Sequence, residues 1–250
     1  MNYVTYPCKT MRITQNYKGK TSHKPHNSGY PKDYPVDEGC ADTGKDYIYC
    51  PCDEMRIRRI YGVGTKGANT IWLESTEKAD FADGKRGYLT LMITHPDDSD
   101  LKNLRVGDVF KRVEKITREG KDSASANHLH ISAGKGKMKG SGWMQNSKGK
   151  WVLTVTDTAS KPEDIFYIDP DFTKVISSGA IKFKQLPDKF TAGYYKVDTA
   201  VLNIRVGPGT EYKKKGVIRK GKAVKITQIK NNWGKYADNN WICLDYCKFM

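Results

Sequence analysis

Along the first 130 residues, apolar positions alternate with polar ones or gather in short unbroken runs, and no long stretch keeps the spacing of an amphipathic helix. Met55-Arg-Ile-Arg-Arg-Ile-Tyr61, Thr70-Ile-Trp-Leu-Glu74 and Tyr88-Leu-Thr-Leu-Met-Ile-Thr94 are β-branched or aromatic and are bounded by Gly, Asp or Pro. Such segments predict strands, and their succession predicts an all-β domain. From Gly193 the pattern continues as shorter alternating pieces cut by Gly and Pro: Gly-Tyr-Tyr-Lys-Val, Leu202-Asn-Ile-Arg-Val-Gly-Pro-Gly209, Gly216-Val-Ile, Lys220-Gly-Lys-Ala-Val224 and Trp241-Ile. That spacing predicts a small barrel. Between the two, Gly134-Lys-Gly-Lys-Met-Lys-Gly-Ser-Gly-Trp143 predicts a mobile basic surface loop that runs to about residue 150. It lacks the GKS or GKT ending of a phosphate-cradling loop and opens no helix. Glu163 to Phe172 reads as an ordered extension of the first domain, and Gly179 to Phe190 as a linker.

The chain of 250 residues therefore divides into an expected domain over 1–178, with its core at about 10–132, a linker over 179–190, and a second domain over 191–250. The fold class is all-β: an antiparallel-sheet domain followed by a small barrel. With 38% hydrophobic residues, both parts can bury a core. No stretch approaches the roughly 18 continuous apolar residues of a membrane span, so no membrane insertion is expected. The opening Met1-Asn-Tyr-Val-Thr-Tyr-Pro-Cys8 lacks a basic segment followed by an apolar run, so no signal peptide is expected and the chain is expected in a cytoplasm.

Charge adds a partner class. The net charge is +15, and from Thr191 onward 12 basic residues stand against 4 acidic ones. A polyanion is implied, with the second domain as the anchor. Nucleic acid and phosphate-rich wall polymers would serve the same electrostatics, and the nucleic-acid reading rests on charge alone. Six cysteines, at 8, 40, 50, 52, 243 and 247, read as reduced thiols. Neither Cys50-Pro-Cys52 nor Cys243-x3-Cys247 supplies the paired knuckles of a structural zinc site, so buried structural cysteine is the better reading.

The five histidines, at 23, 26, 95, 128 and 130, all precede the basic region. Taken singly, each reads as an isolated surface or core residue. His128-Leu-His130 differs, because strand alternation points both imidazoles to one face, about 6–7 Å apart at the backbone. A catalytic zinc needs about three protein ligands and an open position. Ser22-His23-Lys-Pro-His26 followed by Tyr34-Pro-Val-Asp37 offers a nitrogen and a carboxylate, and His130 a further nitrogen.

These pieces, in this order, resemble the lysostaphin-type (β-lytic) zinc endopeptidases, a family of peptidoglycan hydrolases and phage endolysins. The matching elements are Ser22-His23 with Tyr34-Pro-Val-Asp37, then Leu91-Met-Ile-Thr-His95, then Asn127-His-Leu-His130-Ile. Ile48-Tyr-Cys-Pro51, Val106-Gly-Asp108-Val-Phe and Arg118-Glu-Gly120 fit the intervening text. The resemblance spans about residues 10 to 132. It implies that His23, Asp37 and His130 bind Zn2+, that His128 acts as general base or hydrogen-bonds the oxyanion, and that His95 assists. The separations from His23 and His26 to Asp37, 14 and 11 residues, are longer than the family's and imply a loop insertion; His26 is the alternative to His23. The string around Leu202-Asn-Ile-Arg-Val-Gly-Pro-Gly209 resembles the bacterial SH3-like domains that follow many wall hydrolases, over about residues 191 to 247. There, about two-thirds of Tyr194, Tyr195, Tyr212, Trp233, Trp241 and Tyr246 are expected in the core. Lys213, Lys214 and Lys215 are expected in a solvated turn.

The resemblance implies a zinc endopeptidase that cuts peptide bonds of bacterial peptidoglycan, with peptidoglycan and anionic wall polymers as partners and no nucleic acid. It also implies that the protein stays in a host cytoplasm until it is released to the wall. Two readings stay open beside it: a non-catalytic wall binder with a degenerate peptidase domain, and a zinc amidase acting on the same material.

Overall fold

The structure, a computed structural model, describes residues 2–18, 34–39, 44–65, 67–145, 149–155, 158–187, 190–230 and 232–250. Two compact units are present, Met1–Leu186 and Pro187–Met250. Both are built of strands; α-helix among the described residues is confined to α1 (Asp98–Leu101) and α2 (Pro162–Ile165).

In the first unit, the strands up to the middle of the sheet are β1 (Thr10–Gln15), β2 (Val36–Glu38), β3 (Tyr47–Tyr49), β4 (Glu54–Tyr61), β5 (Thr70–Ser75), β6 (Ala79–Asp80), β7 (Arg86–Gly87) and β8 (Leu89–Thr94). The rest are β9 (Val109–Lys111), β10 (Lys115–Arg118), β11 (Leu129–Lys135), β12 (Trp143–Gln145), β13 (Trp151–Leu153), β14 (Ala159–Ser160), β15 (Tyr167–Ile168), β16 (Lys174–Ser177) and β17 (Lys184–Gln185). The main sheet runs β16-β1-β2-β11-β8-β5-β4-β9, with β14 also on β11. Within this run only the β1–β16 pair is parallel.

β5 and β8 are buried at every position, because the sheet carries a core on each face. Ile71, Leu73, Leu91, Ile93 and Ile131 enter the larger core. The alternate residues Trp72 and Met92 pack with Val155 into a smaller one on the opposite face. Two-sided burial explains why these strands read as unbroken apolar runs.

The smaller core corrects the expectation of a mobile loop over 134–150. Gly134 and Lys135 complete β11, and β12 pairs with β13. The segment is anchored where Thr154 O accepts from Trp72 Nε1 at 3.2 Å. The expected linker also begins later than 179, because Ile181 and Phe183 join the larger core and β17 pairs with β15. The contacts they make outweigh the polar composition around them.

On β2, Val36 and Glu38 face the larger core while Asp37 faces the other side. Glu38 accepts hydrogen bonds from the Tyr6 hydroxyl and, at 2.6 Å, from the Arg12 amide, so it ties β1 and the N-terminal segment to β2. Burial pushes its carboxyl up to about 8, against those two hydrogen bonds, and nearby Glu119 and Asp46 add repulsion. A raised folded pKa makes Glu38's contribution to stability full below about 4.5 and progressively lost as pH rises towards about 8. Glu38→Gln, which mimics the neutral acid, is therefore expected to flatten the fall in melting temperature over that window. Parallel pH profiles of variant and wild type would contradict it.

The second unit contains β18 (Gly193–Val197), β19 (Val201–Arg205), β20 (Lys214–Arg219), β21 (Ala223–Ile226), β22 (Gln228–Lys230), β23 (Trp233–Ala237), β24 (Asn240–Cys243) and β25 (Cys247–Phe249). They form a three-stranded sheet, β21-β18-β25, and a five-stranded one, β20-β19-β24-β23-β22. Tyr195, Val197, Leu202, Ile218, Ile226, Ile242 and Leu244 make the core. Of the six aromatics expected to divide two to one in favour of the core, Tyr195, Trp233 and Trp241 are buried while Tyr194, Tyr212 and Tyr246 are exposed. Lys214 and Lys215 open β20 rather than forming a turn. Of the described cysteines, Cys8, Cys50 and Cys52 are buried while Cys243 and Cys247 are partly exposed; Cys40 lies outside the described residues.

Candidate functional site

A row of polar side chains crosses the sheet on the face opposite the larger core. In register from strand to strand stand Gln15 on β1, Asp37 on β2, His130 on β11, Thr94 on β8 and Thr70 on β5. On β2, β11, β8 and β5 the strand neighbours Val36, Leu129, Ile131, Ile93 and Ile71 lie in the larger core, so alternation sends these side chains to the other face, whereas Gln15 follows Ile13 by two positions and the register shift between them brings it to Asp37. The neighbours bond sideways. Gln15 Nε2 donates to Asp37 Oδ2 at 2.8 Å, and Thr70 Oγ1 and Thr94 Oγ1 lie 3.1 Å apart. His130 Nδ1 lies 3.3 Å from Asp37 Oδ1.

Two further imidazoles join the row. His128, one step before β11, is fixed by its amide donating to Gly120 O at 2.9 Å, and its Nε2 lies 3.9 Å from Asp37 Oδ1. His95 follows Thr94, so continued alternation would send its side chain to the opposite face. Its backbone instead takes a left-handed φ of 82°, a conformation costly for a residue with a large side chain and one found where surrounding contacts enforce it. The His95 amide donates to Asn69 O at 2.9 Å. Buried Asn69 in turn donates its amide to Asp122 Oδ2 at 2.7 Å and its side chain to Pro96 O at 3.0 Å. As a result the His95 ring sits 4.6 Å from that of His128 and 6.2 Å from that of His130.

The hydrogen bonds select tautomers. His95 Nδ1 is 2.7 Å from Asp122 O, and His128 Nδ1 is 2.9 Å from Ala126 O. A carbonyl only accepts, so both Nδ1 atoms carry the proton and both neutral rings offer a free lone pair at Nε2. Burial lowers the His95 pKa to about 4, the Asp122 carbonyl opposes this, and His128 and His130 add to the lowering. At neutral pH His95 is therefore a neutral base.

Among the described residues, no group of three or more His, Cys, Asp or Glu side chains is placed to hold a metal ion. The structure brings together Asp37, His95, His128 and His130; His23 and its alternative His26 fall on 19–33, outside the described residues. The donor chemistry of Asp37 and His130 nonetheless fits zinc. Oxygen and nitrogen ligands at about 2.0–2.2 Å in a tetrahedron stand roughly 3.3–3.5 Å apart, and the two donor atoms are 3.3 Å apart.

Sequence reasoning passed over Gln15, Asn69 and Asp122, which position Asp37 and His95. Only the strand register and the turn geometry bring them into place, and no local pattern marks them. Gly120 carries a steric requirement: a Cβ there would lie 2.5 Å from His95 O and Asp97 N and 2.8 Å from Pro96 C, all backbone. Gly120→Ala is thus expected to destabilise the unit by about 1–3 kcal/mol and to lower any activity further by displacing His95 and His128. An unchanged denaturation midpoint would contradict this.

No family model matches the sequence, and no curated protein matches it. Among solved structures, the chain is similar to the NMR solution structure of lysostaphin, with 15% identity, coverage of 97% of this chain and 88% of that one, and a TM-score of 0.36. It is also similar to the antimicrobial peptidase lysostaphin from Staphylococcus simulans, with 16% identity, coverage of 97% and 87%, and a TM-score of 0.34. At these TM-scores the likeness assigns no activity, and the weight rests on the geometry of the row.

Proposed function

We propose that this chain is a zinc-dependent endopeptidase acting on bacterial peptidoglycan, with Asp37, His130 and a histidine from the 19–33 segment, His23 or alternatively His26, as ligands. The observation that carries the reading is the convergence of an Asp–His donor pair with two imidazoles whose Nε2 lone pairs are free. When bound, zinc polarises the scissile carbonyl and makes a water nucleophilic near neutral pH. His128 Nε2 would accept a proton from the attacking water as its oxygen bonds to the carbonyl carbon, and would return a proton to the departing amine as the C–N bond breaks. The Ala126 carbonyl holds the ring in the tautomer this requires. His95 stands beside it as a neutral ring, 4.6 Å away.

Gln15 fixes the second oxygen of Asp37, a role that orients a ligand carboxylate and raises metal affinity. The basic second unit concentrates the protein on anionic walls without adding chemistry. The test is mass spectrometry of muropeptides from purified walls. Cleavage at peptide–peptide bonds, stopped by chelator and restored by zinc, supports the proposal. Cleavage at the sugar-lactyl amide makes the protein an amidase, and wall binding with no released product makes it a non-catalytic binder.

A further inference from the structure

The outer face of β21-β18-β25 carries more positive than negative charge. On β18, Tyr195 and Val197 point into the core and Tyr194 and Lys196 point out. Register places Lys225 opposite Tyr194 and Lys248 opposite Lys196. Tyr194 is 56% exposed, with the Lys225 ammonium 6.0 Å from its ring centroid. Like charges directly opposite one another weaken a sheet, and a carboxylate at either position would relieve the Lys196–Lys248 pair. The one acid beside it, Asp198, already serves two lysines, at 2.7 Å from Lys248 and 3.6 Å from Lys220. The face therefore keeps an excess of positive charge.

We infer that this face is a docking surface for a phosphodiester-linked anionic polymer of the bacterial wall. Successive outward residues on a strand stand about 7 Å apart and cross-strand neighbours about 5 Å apart, so the lysines form a compact lattice that several phosphates of one flexible chain can engage together. The exposed Tyr194 ring among them suits stacking on a polyol or sugar, and Tyr246 and Phe249 are exposed beside the same sheet. The Lys213–Lys215 run is exposed at the start of β20, where Lys214 stands opposite Arg205, whose guanidinium donates to Tyr212 O at 2.7 Å. The inference rests on the reading that the protein works at the wall, but it does not depend on catalysis.

The test uses the full chain and soluble poly(glycerol phosphate), titrated over a range of salt, with single-stranded DNA as a second probe. Lys196→Glu is expected to weaken polymer binding by about 10-fold or more and to reduce the salt slope by about one per lost lysine contact. Its melting temperature should match or exceed that of the wild type, because Glu at 196 pairs with Lys248. The control, Lys213→Gln/Lys214→Gln/Lys215→Gln, removes more charge and should cost less than about 3-fold in binding. Equal losses in the two variants would overturn the inference in favour of net charge alone. Unchanged binding in Lys196→Glu, or tighter binding of DNA than of the polymer through the same lysines, would also overturn it. Polymer binding that persists in a protein that hydrolyses no muropeptide would sink the catalytic reading and leave this one standing.

Discussion

His130→Ala is expected to abolish wall hydrolysis and to strip the protein of zinc. Removing a residue that merely orients a ligand weakens metal binding about 10–100-fold, and losing a ligand should cost more. The remaining donors, Asp37 and the histidine from 19–33, could not hold zinc tightly at neutral pH. Under the proposal the metal lowers the barrier by several kcal/mol, and each 1.36 kcal/mol is a factor of ten, so the rate should fall by about 10³-fold or more. The substitution should not unfold the unit. His130 lies on the polar face, while its strand neighbours Leu129 and Ile131 hold β11 to the larger core. Zinc content and muropeptide release, measured on a variant with a wild-type denaturation midpoint, check the expectation. Retained zinc with lost turnover would move His130 from ligand to proton carrier.

The second large effect separates holding the metal from moving the proton. His128→Ala should lower kcat by about 10²–10⁴-fold while leaving zinc bound at the wild-type stoichiometry, because the proposal makes Nε2 of His128 the base and not a ligand. Zinc loss in His128→Ala comparable to that in His130→Ala would reverse the assignment of the two histidines.

The all-β fold was legible because side-chain alternation is local and the physics behind it is local too. The segments 55–61, 70–74 and 88–94 stand as strands β4, β5 and β8, within a residue at either end. What alternation cannot reveal is which strands lie side by side. Gln15 precedes Asp37 by 22 residues and meets it only through the β1–β2 pairing. His95 shows a second limit: the strand pattern that locates it would aim its ring away from His130, and a single left-handed backbone angle reverses that direction. The Gly- and Lys-rich stretch after β11 misled because composition records solvent exposure on one side of a segment. Its other side, with Gly142 close against the Trp72 ring and Val155 beside Met92, closes a second core. In the second unit, counting aromatics overstated burial because Tyr194, Tyr212 and Tyr246 present their rings to solvent. The lattice of Lys196, Lys225 and Lys248 was likewise hidden until three strands were placed in register.

The most direct measurement is the zinc content of the purified full chain, determined by elemental analysis after exhaustive dialysis, for wild type, Asp37→Ala and His128→Ala. One tightly held zinc per chain in wild type and in His128→Ala, with almost none in Asp37→Ala, is the predicted result. No bound zinc in the wild type, or zinc that survives the loss of Asp37, would contradict the account.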